Sequence, residues 1–391
     1  MKAESYLSRG VSPTKDDVKL AVANQSKGLF PGSFCKVIED PAGDDNWCSA
    51  VHADGAGTKS SAAYLMYRLT GDTSWFAGIA QDSLVMNTDD LACIGATDNF
   101  LVSNTIGRNA HRVNAECLAA IINGYDSFID KMAAHDVKIT MTGGETADVG
   151  DLVRTVICDS TVVVRLPRAN VINAADIKPD QVIIGLASFG QTNYEDRENS
   201  GIGSNGLTAA RHLLLHSDYR DQFPETYADT MPADKAYCGL YHAEDKLPGS
   251  TLTAGEAVLS PTRTYLPVIR RILAEHGNSI SGIIHCTGGG QVKCRDFGHG
   301  LRYVKDNLFE RPPVFRAIFE SGDVKQHEMY QIFNMGHRME LYCDQDSAAA
   351  IIETAATFKL DARIIGYTEK LTDQDAANQV IIKDQGEEFV Y

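Results

Sequence analysis

Positive charge is short in this sequence relative to negative. Its 391 residues carry 36 Lys and Arg against 52 Asp and Glu, a formal charge of −16. That balance argues against a nucleic-acid or anionic-membrane surface, because both need basic patches. Phosphate-bearing ligands would have to meet locally gathered cations or Mg²⁺. There is no run of about 18 apolar residues, so no membrane span is expected. The opening MKAESYLSRGVSPTK lacks the apolar stretch of a secretory signal. Nine cysteines run from Cys35 to Cys343, odd in number and with no CxxC pair. They read as reduced thiols of a cytoplasmic protein, not a disulfide frame or a zinc site. Short-period repeats are also missing.

What is present is an ordinary globular composition, 43% hydrophobic and 23% charged. The length is large for one core, so two domains are expected, 1–168 and 169–391. Ser12-Pro13 with Asp16 and Asp17 marks a helix start. Strands are expected at 47–51, 99–104, 137–141 and within 152–166, with helices over 60–69, closed by Gly71, and 76–96. The clearest amphipathic helix carries Leu118, Ile121, Ile122, Tyr125, Phe128, Ile129 and Met132 at spacings of three and four. In the second half strands are expected at 182–186, 280–285, 338–343, 362–368 and 379–382. Helices are expected over 205–212, 262–275, 313–319, 327–333 and 348–358. Residues 216–254 are polar, with prolines and tyrosines but little periodicity, and read as a surface insertion.

Four stretches share one design, a strand end followed by glycine with acid, amide or hydroxyl residues: HADGAGTK (52–59), TGGET (142–146), GIGSNG (201–206) and HCTGGG (285–290). Glycines admit close backbone approach, and a helix start after them offers free N–H groups to phosphate. Any one of them is explained equally well as a turn. The expected phosphate contacts are Gly55, Gly57, Thr58, Lys59, Gly143, Gly144, Ser204, Asn205, Thr287, Gly288, Gly289 and Gly290. Asp54, Asp82, Asp90 and Glu145 are hard oxygen ligands for Mg²⁺ on ATP phosphates. On the 76–96 helix Asp82 and Asp89 fall about 20° apart and Asp90 about 80° from Asp82, so helical phase alone favours Asp89 as the partner of Asp82.

These motifs resemble phosphoribosylformylglycinamidine cyclo-ligase, the aminoimidazole ribonucleotide synthetase family. HADGAGTK resembles its TDGVGTK, the stretch 82–96 its acidic helix, and TGGETADVG its GGETAEMPG. SPTRTYLPVI (260–269), HCTGGG and HEMYQIFNMG (327–336) resemble its APTRIYVKSV, HITGGG and EMYRTFNMG. The resemblance spans nearly the whole chain. It implies a two-domain α+β fold of mixed sheets with helices packed on them. The N-terminal domain would bind ATP and form a homodimer, and the C-terminal domain would complete the cleft. The implied reaction is ATP-dependent ring closure of a ribonucleotide, with Asp54, Asp82, Asp90 and Glu145 on Mg²⁺. The family match thereby prefers Asp90 where helical phase prefers Asp89. His285 and Glu328 are the acid/base candidates. A buried histidine at a strand end and a solvated helix acid are the alternative readings of those two.

Several positions depart from the family. Gly203 stands where it has the His of HSNG, and His337-Arg338 follow NMG in place of Val-Gly. Gln291-Val292-Lys293-Cys294-Arg295 follow TGGG, residues 102–107 replace an acidic and aromatic stretch, and Pro31-Gly32-Ser33-Phe34 replace G-G-F-G. They fall mostly where substrate would be recognised. Two alternatives therefore stand beside the cyclo-ligase: a related phosphotransferase acting on another small molecule, and a nucleotide-binding paralogue without turnover.

Overall fold

The computed structural model describes residues 4–12, 16–373 and 376–391. Pro13, part of the expected helix start, lies outside them, and the helix that follows is Asp16–Ala21. Two sheets organise the chain. The first holds β1 (Val37–Glu39), β2 (Trp47–Gly55), β3 (Phe100–Arg108), β4 (Ile139–Asp148) and β5 (Val156–Pro167), in the order β1-β2-β5-β3-β4. Only β3 and β4 pair in parallel. The second holds β6 (Val182–Ala187), β7 (Ile280–His285), β8 (Leu301–Lys305), β9 (His337–Cys343), β10 (Ala362–Lys370), β11 (Gln379–Asp384) and β12 (Glu387–Val390). Its order is β12-β11-β8-β10-β6-β9-β7, antiparallel except between β8 and β11.

β5 explains how the first sheet is used. Along VICDSTVVVRLP burial alternates residue by residue, the period-two signature of a strand with one covered face. Its even positions face two helices. On the other face Val163 stands in register with Val51 of β2 and Leu101 of β3, and all three are exposed, as is Ile157. No described residue covers this apolar outer face.

The helix Ala77–Ala92 lies between the two sheets. It packs on β2 and β5 on one side and on β7 and the helix Leu266–His276 on the other. Burial on all sides accounts for its weak amphipathicity: thirteen of its residues are buried, three of them aspartates. The helix Ala115–Ala133 covers it, capped by Asn114, whose side chain accepts from Cys117 N–H. The two cross so closely that a Cβ on Gly124 would stand 2.4 Å from Ala77 O. Ile122, counted in the expected apolar stripe, is exposed, because the buried stripe follows Cys117, Ile121, Tyr125, Phe128 and Met132.

Two local expectations change. TGGET does not end a strand: β4 runs straight through it, pairing Gly144 with Asn104 after a register shift opposite Ser103. The expected helix over 262–275 starts only at Leu266, with Pro267 in its first turn; residues 262–265 belong to no helix or strand and hydrogen-bond to the buried aspartates.

Candidate active site

The aspartates of Ala77–Ala92 divide as helical phase dictates. Asp82 and Asp89 both turn to the segment that runs from Thr262 to Tyr265. Asp82 Oδ1 accepts from Thr262 N–H at 2.7 Å, and Asp89 accepts from the Thr264 hydroxyl at 2.8 Å and from Tyr265 N–H. Asp90 turns away from them, to β2 and β7.

Around Asp82, Lys59 reaches in from the first turn of the helix Lys59–Thr70. Its ammonium lies 2.8 Å from Asp82 Oδ1 and also donates to the carbonyls of Gly203 and Ser260. Lys59 is fully buried, and burial draws its pKa down while Asp82 draws it back up. The side chain expected to meet a phosphate is therefore turned inward, tying three segments together. Asp82 Oδ2 is buried without a hydrogen-bond partner among the described residues.

Around Asp90, His285 Nδ1 lies 2.5 Å from Oδ1 and His52 Nε2 lies 3.3 Å from Oδ2. Burial pushes the Asp90 carboxyl up, but the two imidazoles hold it below the usual range. Burial lowers the His52 pKa, yet its bonds to Asp90 lift it to about 9. Burial and the nearby Arg338 charge take His285 down to about 4, against the pull of Asp90. At neutral pH His52 is charged, Asp90 is ionised and His285 is neutral. His285 donates its Nδ1–H to Asp90 and keeps a lone pair on Nε2, which is buried and unpartnered among the described residues.

Three of the four glycine stretches meet at this helix. Asp54 is the last residue but one of β2, and its carbonyl accepts from Asn87 on the helix. Thr58 Oγ1 lies 2.9 Å from Thr208 Oγ1, joining HADGAGTK to the helix after GIGSNG. Ser204 receives a hydrogen bond from Thr262, and Asn205 donates to Met86 Sδ. His285 leads into Thr287–Gly290, where Gly290 N–H donates to Thr287 O at 2.7 Å. Gly290 has φ +53, and a Cβ there would stand 2.5 Å from Tyr330 O, so only glycine fits.

The remaining candidates lie elsewhere. Gly143, Gly144 and Glu145 are exposed on the edge strand β4. In register, Glu145 shares a row with Thr105, Asp159 and Gly55, three strand spacings or about 14 Å from β2. Glu328 is buried and accepts from the backbone N–H groups of Glu4 and Ser5, holding the N-terminal helix Glu4–Leu7 in place.

Residues that the sequence did not single out also belong to the cluster. His52, inside a quoted motif, was passed over for the glycines beside it. Asp159 lies beside Gly55; burial and then the Asp54 charge raise its pKa. Arg338 is buried against Asp89, 3.5 Å away, and over the Tyr265 ring, and donates to Arg263 O. Only the departure from the family pattern at 338 hinted at it.

The AIR synthase related protein N-terminal domain matches residues 34–164, and the AIR synthase related protein C-terminal domain matches residues 178–376. A phosphoribosylformylglycinamidine cyclo-ligase of Methanocaldococcus jannaschii is 28% identical over 81% of this chain and 77% of its own length. One of Methanothermobacter thermautotrophicus is 30% identical over 73% and 70%. Among solved structures, T. maritima PurL complexed with FGAR aligns with a TM-score of 0.56 at 14% identity, covering 96% of this chain; this chain spans 48% of that one. A chain of a HypE-HypF complex aligns with a TM-score of 0.55 at 14% identity, over 96% of this chain and 98% of its own. Likeness at that identity is one of fold. No helix among the described residues is long and apolar enough to cross a membrane.

Proposed function

Because this chain belongs to the AIR synthase related family, we propose that it is a cytoplasmic enzyme that closes the ring of formylglycinamidine ribonucleotide to aminoimidazole ribonucleotide with ATP. The γ-phosphoryl passes to the formyl amide oxygen, and the amidine nitrogen attacks the activated carbon. The carbon–oxygen bond then breaks and phosphate leaves. Amide oxygen is a poor leaving group and phosphate a good one, so catalysis is mostly positioning and charge neutralisation. Support comes from the relatives named as cyclo-ligases over most of their length.

The observation that carries the reading is the gathering of three glycine stretches around one buried, aspartate-bearing helix. Thr58, Ser204, Asn205 and residues 287–290 would line the phosphates. His285, neutral and oriented by Asp90, would take the amidine proton through Nε2, which is why Glu328 is the weaker candidate. A divalent cation suits the acids present: Asp54 crowds Asp159 with like charge, and Asp82 keeps an oxygen that has no partner among the described residues. Asp54, Asp82 and Asp159 would hold Mg²⁺, with Asp90 engaged by histidines and Glu145 held apart. When bound, Mg²⁺ would supply positive charge that offsets the ATP phosphates.

The domain boundary near Arg168 belongs to this reading, with nucleotide held mainly by the first half. So does a homodimer formed through the uncovered face around Val51, Leu101 and Val163. The departures at Gly203 and Arg338 favour a second reading, phosphoryl transfer to another small acceptor. Growth without purines, restored in a strain lacking the cyclo-ligase, supports the first reading; failure by a well-expressed, folded protein counts against it.

A further inference from the structure

Residues 216–254 fill the gap between the helices Leu207–Leu214 and Ala254–Val258. Two of their stretches run side by side, with Leu215 bridged to Tyr241 and His216 to Gly239. That pairing brings His216, Asp218 and His242 together, with one donor atom from each within 4.8 Å of the others. Asp218 Oδ1 lies 3.3 Å from His216 Nδ1, and Oδ2 lies 3.2 Å from His242 Nε2. The imidazoles stack with centroids 4.3 Å apart. Asp245 stands 3.6 Å behind His242 Nδ1, and the Tyr219 ring meets His242 edge-on.

Protons satisfy this cluster only in part. An ionised carboxylate only accepts, so a ring nitrogen facing Asp218 needs a proton, or a cation must stand between them. His242 can turn an Nε2–H to Asp218. His216 Nδ1 instead accepts the Asp218 backbone N–H at 3.3 Å, which calls for a lone pair on that atom and leaves it facing Asp218 Oδ1 with no proton between them. One metal ion satisfies both rings and the carboxylate at once.

We propose that His216, Asp218 and His242 bind a first-row divalent transition cation, with Zn²⁺ the best match, and that the ion fastens the two stretches of residues 216–254 to each other. Donors about 2.0–2.1 Å from a tetrahedral zinc stand roughly 3.3 Å apart. The nitrogen-to-oxygen distances of 3.3 and 3.2 Å agree with that. Two imidazoles and one carboxylate suit zinc over Mg²⁺ or Ca²⁺, and water completes the set. The ion replaces the long N–H contact to His216, and Asp245, which accepts the His242 backbone N–H at 2.7 Å, keeps its negative charge 3.6 Å from His242 Nδ1. All three side chains are partly exposed, so the ion has a way in. The buried trio Cys286, His337 and Glu340 is different: the Lys305 ammonium already occupies the cation position at Glu340.

The test uses the full chain, stripped with chelator and held in excess Mg²⁺ to fill the acidic site. Zn²⁺ is titrated calorimetrically, retained zinc is counted after gel filtration, and proteolysis within 216–254 is followed. One equivalent per chain is expected, with slower cleavage in that segment. His216→Ala and His242→Gln should each lose the equivalent and the protection, while Asp54→Asn keeps both. The proposal is overturned by a wild type that retains no zinc, by His216→Ala/His242→Gln retaining as much as wild type, or by binding that leaves cleavage unchanged.

Discussion

Gly203 and Arg338 touch: a Cβ on Gly203 would stand 3.4 Å from Arg338 Cδ. These are two of the positions where the chain leaves the family pattern, a histidine replaced by glycine and a glycine by arginine. Arg338 is buried and anchored on Asp89 and Tyr265, while Gly203 takes φ +69. Gly203→His should therefore destabilise the protein by about 1–3 kcal/mol, through overpacking and backbone strain. In a double-mutant cycle by urea unfolding, Arg338→Gly should return at least about 0.5 kcal/mol of that loss. Strict additivity would sever the link between the two positions.

Lys59 and Asp82 form a buried pair whose partners fail together. Lys59→Met leaves Asp82 uncompensated in the interior and should cost about 3–5 kcal/mol. Lys59→Met/Asp82→Asn should be milder than Lys59→Met, because the stranded charge is gone. Urea midpoints decide; equal loss in both variants would mean that the charge pairing contributes little.

How much of this was legible follows period and contact range. β5 and the helix Ala115–Ala133 were readable because each has one buried face with its own period. The helix Ala77–Ala92 was visible, and its phase correctly set Asp82 and Asp89 on one side. What lay on that side was not legible: Thr262 sits 180 positions from Asp82, and nothing local says that SPTRTY stays outside the helix. Lys59 shows the same limit, since a lysine after a glycine turn looks like a phosphate ligand until the acid beneath it is seen. TGGET looked like a turn because glycines punctuate strands in sequence, whereas here an edge strand absorbs them. β1, β8 and β12 are short, and no expected strand corresponds to them.

His52 gives the stability a pH dependence. Its pKa rises from 6.5 to about 9 on folding. The contribution is therefore fully present below pH 6.5 and is lost as pH climbs through 9. At most it is roughly 3 kcal/mol, less what solvent screens at this partly exposed ring. Unfolding free energies measured from pH 6 to 10 should fall across that window in the wild type, and less steeply in His52→Gln. Parallel curves would remove His52 from the account.

The uncovered sheet face predicts self-association. Val163→Asp places a charge amid Val51 and Leu101 without entering the core. Sedimentation should give a dimer for the wild type and a monomer with unchanged circular dichroism for the variant. A monomeric wild type would leave that face without its proposed partner.

The central claim is that acids and glycine turns gathered at one helix serve ATP-driven ring closure. It is tested most directly by following ADP and aminoimidazole ribonucleotide together, from ATP and formylglycinamidine ribonucleotide, with and without Mg²⁺, in wild type and Asp54→Asn. The account predicts the two products in equal amounts, only with Mg²⁺, and none from a folded Asp54→Asn. ADP without imidazole product, or full turnover by Asp54→Asn, would contradict it.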